Sequence, residues 1–164
     1  MADSKRLITK KALTDLLAGI TVANGFQHDL TGKVWRGRTR IGDETSAPFL
    51  TIIEVIPNPP STAGADTNKN IWELAIKGYA VADQNNPTDT ADNLMADVKK
   101  RLALIADDGG RSAPGPDYLL GGLVTDIEVD NGVTFEPEET SKLSAFVLKV
   151  SFGFVEKLGD VYET

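Results

Sequence analysis

Three arginines at alternate positions, Arg36, Arg38 and Arg40, are the residues of this chain best suited to binding a partner. Alternate residues of a strand share one face, so an extended segment here would display a row of guanidinium groups. Such a row can grip phosphates, pair with carboxylates of another chain, or simply decorate an exposed strand. A net charge of −7, and no aromatic neighbour except Trp35, argue against nucleic acid. Carboxylate pairing and surface decoration remain equally open.

The only histidine, His28, lies just after an Asn24-Gly25 turn signal. A catalytic histidine needs a nucleophile or a carboxylate beside it, and the chain has no Gly-x-Ser-x-Gly motif. We therefore predict that His28 is a solvated turn residue rather than a catalytic base.

The acidic residues do not have the spacing of a calcium site. Asp126, Glu128 and Asp130 alternate like the start of an EF-hand loop. That loop requires Gly at position 6 and Glu at position 12. The residues at those positions are Asn131 and Pro137, so a strand edge facing water is the better interpretation.

Two glycine pairs, at 109–110 and 121–122, lack the Gly-Lys-Ser/Thr sequel of a phosphate loop and are predicted to be turns. The acidic run of Glu136, Glu138 and Glu139 is predicted to be a solvated loop, with an interface loop as the alternative. We predict no catalytic residues, no metal and no cofactor, and hence no enzyme. The different-class alternative is a small enzyme or ligand-binding domain whose site is assembled from Asp and Glu alone.

Length and composition favour one intracellular domain. The 164 residues can bury roughly 70% of their unfolded surface, so we predict a single domain over residues 1–164. The absence of cysteine suits a reducing cytoplasm, and no window approaches the ~18 apolar residues of a membrane helix. Residues 1–40 carry eight basic and three acidic side chains, whereas residues 41–164 carry nine and 21. A basic end and an acidic remainder can attract copies head to tail, although scattered surface charge explains the pattern as well.

Hydrophobic periodicity predicts an α+β fold in the order α-β-β-β-α-β-β. We expect a mostly antiparallel mixed sheet of about five strands with two helices on one face. The predicted helices cover Ser4–Ile20 and Thr88–Ala106, and the predicted strands cover Lys33–Arg40, Phe49–Ile56, Ile71–Ala82, Leu123–Val129 and Leu143–Val155.

Two segments rich in Pro, Gly and polar residues are predicted to be mobile loops. The first covers Pro57–Asn70 (mobile over 58–70), and the second covers Gly109–Asp117 and carries Arg111. Val133–Thr140 is predicted to be acidic and irregular, and residues 157–164 to form a flexible tail.

In combination, several segments resemble the tail terminator and minor tail proteins of tailed bacteriophages. They are an opening amphipathic helix (ALTDLLAGI), an Asn-Gly turn leading to KVWRGR, and a proline before a buried strand (SAPFLTIIEV). The strand IWELAIKGYAVAD then runs into the helix ADNLMADVKKRLALI, and LVTDIEVDNG and KLSAFVLKVSFGFV close the chain. The resemblance covers residues 10–156 and is a pattern of elements rather than an active-site signature.

The resemblance implies a structural virion protein made in the cytoplasm of a host bacterium. Such proteins form a ring, usually a hexamer, that ends polymerisation of the tail tube and presents a surface for head–tail joining. The implied partners are further copies of the chain, the tail tube protein, the connector or neck protein, and a sheath protein if the tail is contractile. DNA would pass through the lumen without specific binding, and no membrane is involved.

The family supplies no catalytic residues, so the predicted site is an interface. The candidate interface residues are Trp35, Arg36, Arg38, Arg40, Arg111, Glu136, Glu138 and Glu139. The nearest alternative function is another neck component, such as a head-completion or head–tail connector protein.

Overall fold

The computed structural model describes residues 2–39, 47–55, 62–63, 67–107 and 115–157. It has the predicted α+β architecture, in which helices pack on one face of a mostly antiparallel sheet. The helices are α1 (Lys5–Ala18), α2 (Asp89–Ala106) and the short α3 (Leu119–Gly122), with a 3₁₀ turn at Val22–Asn24. The strands are β1 (Val34–Arg36), β2 (Phe49–Glu54), β3 (Thr62–Ala63), β4 (Thr67–Val81), β5 (Asp126–Val129), β6 (Val133–Phe135) and β7 (Leu143–Lys157).

Local signals set the two long helices. Ser4 caps α1, because its hydroxyl oxygen accepts a hydrogen bond from the Leu7 amide at 3.3 Å. The helix ends at Gly19, whose amide donates to the Leu16 carbonyl. In α2 the predicted apolar stripe is confirmed, since all of its members are buried: Ala91, Leu94, Met95, Val98, Leu102 and Ile105. Removing one fully buried leucine of such a stripe from water contributes about 1.5–3 kcal/mol.

The sheet order is β1-β2-β4-β7-β5, with β3 paired to β4 and β6 paired to β7. Only β1 and β2 run parallel among the described strands, and every other pair is antiparallel. The core lies between the sheet and the two long helices. We call this side the helix face and the opposite side of the sheet the open face.

The boundaries of several elements correct the sequence prediction. The first strand ends at Arg36 rather than Arg40, and β4 begins at Thr67 rather than Ile71. The predicted mobile loop over Pro57–Asn70 is therefore wrong at its end, because Thr67–Asn70 pair with Phe154–Lys157 of β7 and β3 pairs with Asn68 and Lys69. Ladder hydrogen bonds order these polar residues despite their turn-like composition.

Two further corrections concern the chain between α2 and β7. The fourth predicted strand starts at Asp126 rather than Leu123, since Leu123 caps the short α3. Val133–Phe135, predicted to be irregular, forms β6. The predicted Gly109–Asp117 loop lies outside the described residues up to position 114, and its last residues lead into a turn before α3. The tail beyond Lys157 is also outside them.

A β-bulge separates β5 from β6 on the same edge of β7. Val129 pairs with Val150 and Val133 pairs with Val147, so three residues (130–132) oppose two (148–149). Gly132 fits the bulge because its φ of +73° is unfavourable for other residues. The Asp130 carboxylate accepts hydrogen bonds from the amides of Gly132 (2.9 Å) and Lys149 (3.1 Å). The extra residue reverses which side chains face which side of the sheet.

Candidate interface at the two edges of the sheet

The predicted row of arginines on one face does not form. Gly37 has a φ of +69°, which ends the strand and its alternation after Arg36. The Arg36 guanidinium donates to the Thr14 hydroxyl of α1 at 2.9 Å, on the helix face. The Arg38 guanidinium lies 4.6 Å from the centre of the Trp35 ring, on the open face. The third arginine, Arg40, lies outside the described residues.

A basic edge nevertheless exists along β1. Residues 34–38 run beside β2, because the Gly37 amide donates to Ile52 and the Thr51 hydroxyl donates to the Arg38 carbonyl. Lys33, Arg36 and Arg38 form no salt bridge with any described residue. We call these three residues the basic edge.

Among the described residues, three of the other four cations near the N-terminus form salt bridges within the chain, and the fourth, Lys5, donates to the Val155 carbonyl. Arg6 and Lys10 of α1 lie 3.5 and 3.0 Å from the two oxygens of the Glu54 carboxylate at the end of β2. Lys11 pairs with Asp3. The basic character of the first quarter of the sequence is therefore concentrated at β1 rather than spread over α1.

The opposite edge of the sheet is acidic. Its carboxylates lie on β5, in the bulge and just after β6, and all are exposed: Asp126, Glu128, Asp130, Glu136, Glu138 and Glu139. None forms a salt bridge with a residue that the structure describes. We call this set the acidic edge. The described part of the chain also contains no group of three His, Asp or Glu side chains that could hold a metal ion.

The bulge places two apolar side chains on the open face beside the acidic edge. Val133 and Phe135 face the same way as their partners Val147 and Ala145, and they are 57% and 49% exposed. Without the bulge, these side chains would point towards α2 and their polar neighbours would point outward. Sequence reasoning missed both residues. The signal was Asn131-Gly132, which breaks the alternation between two runs of strand-forming residues.

An aromatic stripe crosses the open face from one edge to the other. Phe135, Ala145, Tyr79 and Phe49 are successive cross-strand partners. Phe49 stacks on Tyr79, with the ring centres 5.0 Å apart, and meets Trp35 at 5.4 Å. The stripe therefore begins at Phe135 on the acidic edge and ends at Trp35 beneath Arg38 on the basic edge.

A cleft of about 890 Å³ opens on the open face beside this stripe, and it is lined by residues of the acidic edge and also by Thr39, the residue after Arg38. Its walls include Tyr79, Phe135, Glu136 and Glu138, with Lys77 on the floor strand β4. Burial, and to a lesser extent the Glu138 carboxylate, raise the pKa of Tyr79 above its usual value of 10.0. The cleft thus combines aromatic surface with carboxylates that have no cationic partner among the described residues.

His28 is not the solvated turn residue that the sequence predicted. Its Nδ1 lies 2.7 Å from an Asp97 carboxylate oxygen, and the Asp97 side chain is buried in α2. The same oxygen accepts hydrogen bonds from the amides of Gln27 (3.0 Å) and His28 (3.1 Å). These contacts fasten the segment after the 3₁₀ turn to α2, which is a structural role.

Of the remaining candidates, Arg111 lies outside the described residues. Glu136, Glu138 and Trp35 lie at the two ends of the open face, as given above, and Glu139 follows in the turn after β6. The glycine pair at 121–122, predicted to be a turn, ends the short α3, where both residues have positive φ. The structure therefore separates the candidate residues into two groups at opposite edges of one sheet.

No protein-family model matches the chain, and no curated protein matches it. None of the helices in the described part is both long and apolar enough to cross a membrane.

Proposed function

We propose that this protein is a structural subunit that associates head to tail into a closed ring. The observation that carries the proposal is the position of the basic edge and the acidic edge at opposite ends of the sheet order. A surface that meets a different surface of the next copy makes a heterologous contact, and repetition of that contact closes into a ring when the rotation allows. Opposite charges at the two surfaces favour this contact over contacts between like edges.

In the described part of the chain, the two edges of the sheet also have unpaired backbone groups, which supports the same head-to-tail association. β1 and the β5–β6 pair are terminal in the sheet, so each has backbone groups without a strand partner among the described residues. Exposed edges tend to pair with other chains unless charge or cover prevents it. Here the charges are of one sign at each edge, which opposes contact between identical edges and permits contact between different ones.

We propose further that the ring is the tail terminator of a tailed bacteriophage. The resemblance of the sequence segments supports this identity, and the fold supports it only by agreeing with the expected small α+β domain. In this role the ring would be a hexamer that ends tail-tube polymerisation and receives the head connector. Its partners would be the tube protein, the neck and, in a contractile tail, the sheath, with DNA passing through the lumen.

The mass of the purified protein in solution tests the ring. Light scattering at about 50 mM salt should give a hexamer, and about 1 M salt should dissociate it, because ~1 M salt shortens the Debye length to ~3 Å. Reversing Arg36 and Arg38 to Glu should give a folded monomer at low salt. Reversing Lys11 and Lys157 to Glu changes the net charge equally at exposed positions that belong to neither edge, and should leave the hexamer intact. A strict monomer at both salt concentrations would refute a charge-assembled ring.

A further inference from the structure

We propose that the cleft beside Phe135 receives the Arg38 side chain, and the Trp35 ring beneath it, from a second copy of this chain. The proposal rests on the head-to-tail association proposed above and names the residues at its centre. It assigns a role to Val133 and Phe135, which the charges of the two edges do not explain.

The first support is that both ends of the contact lie on the same side of the sheet. Trp35 shares a face with Thr51 and hence with Phe49, and Phe135 shares a face with Tyr79 through Ala145. Copies joined edge to edge keep their open faces on one side, so Phe135 of one copy would meet Trp35 of the next. The aromatic stripe would then continue from subunit to subunit.

The second support is charge. Glu136 and Glu138 line the cleft, and neither is paired with Lys77 or Lys142, which also line it. Arg38 is exposed and has no carboxylate partner among the described residues, although it is held in place over Trp35. A guanidinium that enters the cleft would meet two carboxylates, with which it can form charge-assisted hydrogen bonds.

The third support is the type of residue at each end. Arginine and tryptophan dominate the binding energy of protein interfaces when they fill a pocket, and the stacking on Trp35 pre-orders the Arg38 side chain before contact. On the other side, Phe135 and Val133 are large apolar side chains about half exposed on a sheet edge. The role of the bulge would then be to present Val133 and Phe135 to the partner that covers them.

Disulfide trapping tests this contact directly, because the chain contains no cysteine of its own. One chain would carry Thr39→Cys and a second Glu139→Cys, which are exposed neighbours of Arg38 and Glu138 and leave both charges in place, and the two would be mixed under mild oxidation. We expect a cross-linked dimer of one chain of each kind. The control pair, Lys11→Cys with Glu139→Cys, should give at least tenfold less dimer, because Lys11 lies on α1 and away from the cleft. Equal yields from the two pairs would overturn the proposal.

A second variant distinguishes failure of the proposed Phe135 contact from failure of ring formation. Phe135→Ser should reduce the assembled fraction at least tenfold and leave the melting temperature of the monomer nearly unchanged, since half of the side chain is already exposed. Val22→Ser removes a more exposed apolar side chain from the 3₁₀ turn on the helix side and should have no effect on assembly. If the wild type forms a ring and Phe135→Ser forms it equally well, the ring stands and the proposed contact is wrong. If neither a ring nor the specific cross-link forms, both proposals are wrong.

Discussion

Asp97 shows how one buried carboxylate can fix a loop that the sequence describes only as a turn. Its side chain is 5% exposed and accepts hydrogen bonds from two backbone amides in addition to its contact with the His28 ring. Sequence spacing could not find this pair, because 69 residues separate the two side chains. The prediction of a solvated His28 failed for that reason.

Replacing Asp97 by Ala should lower the free energy of unfolding by about 3 kcal/mol, because two partly buried amides and the imidazole lose their acceptor. For a chain of this size that corresponds to a fall in melting temperature of about 6–12 °C. His28→Ala keeps both amide bonds and should cost only about 1 kcal/mol. Thermal unfolding of the two variants checks the difference. Equal losses of stability in the two variants would show that the His28 imidazole, and not the two backbone amides, fastens the segment to α2.

The pKa of Tyr79 reports on the cleft. Glu138→Gln should lower the pKa of Tyr79 towards its usual value, although burial should still keep it raised. Glu139→Gln is the control, since Glu139 is not a cause of the shift. Ultraviolet titration of tyrosinate absorbance measures the change. An unchanged Tyr79 titration in Glu138→Gln would place that carboxylate away from the cleft.

The raised pKa of Tyr79 also determines how the stability of the protein changes with pH. A folded-state pKa above the unfolded value means that the neutral form is favoured by folding. Its contribution to stability is complete below the unfolded pKa of 10.0 and is lost as the pH rises through the folded value.

At the scale of the elements, β4 and β7 form the centre of the sheet, and they pair over 15 residues. Gly78 of β4 faces Phe146 of β7, and its missing side chain leaves the space that the Phe146 ring occupies. A β-carbon at position 78 would overlap that ring. This pairing explains a glycine in the middle of a buried strand, where its backbone freedom is otherwise a cost.

Gly78→Ala should therefore destabilise the protein by about 1–3 kcal/mol, the usual cost of overpacking a core. Gly115→Ala is the matched control, because no described residue lies within 4 Å of the added atom and its φ is outside the left-handed region, so its effect should be close to zero. Denaturant unfolding with a common m-value measures both. A Gly78→Ala protein as stable as the wild type would mean that the Phe146 ring moves freely in the core.

Strong apolar periodicity predicted the elements that the core depends on. Both long helices, the strand at Phe49 and the last strand were placed because their buried side chains recur at helical or strand spacing. The short strands β3 and β6 were missed, because backbone pairing with a long neighbour holds them and their own sequences carry little pattern. Periodicity also does not predict that the first strand ends at Arg36, since that end depends on the positive φ of Gly37.

At the scale of the whole molecule, the sequence predicted charge asymmetry but not its location. Pairing of Arg6 and Lys10 with Glu54 offsets one of their two positive charges, and the sheet order places β1 and the β5–β6 pair at opposite edges. That order depends on long-range strand pairing, which local composition does not encode. The polarity of the molecule along its sheet is what makes head-to-tail association the simplest account.

Mixing two edge-deficient variants tests that association most directly. One variant carries Arg36→Ser and Arg38→Ser, and the other carries Phe135→Ser with Glu136→Ser and Glu138→Ser. Each retains one intact edge and should be a monomer alone at concentrations where the wild type assembles. Their mixture should form a one-to-one dimer that grows no further, because only one intact contact exists between them. Native mass spectrometry would show that dimer, whereas a mixture that stays monomeric, or either variant that still forms rings alone, would contradict head-to-tail assembly through these edges.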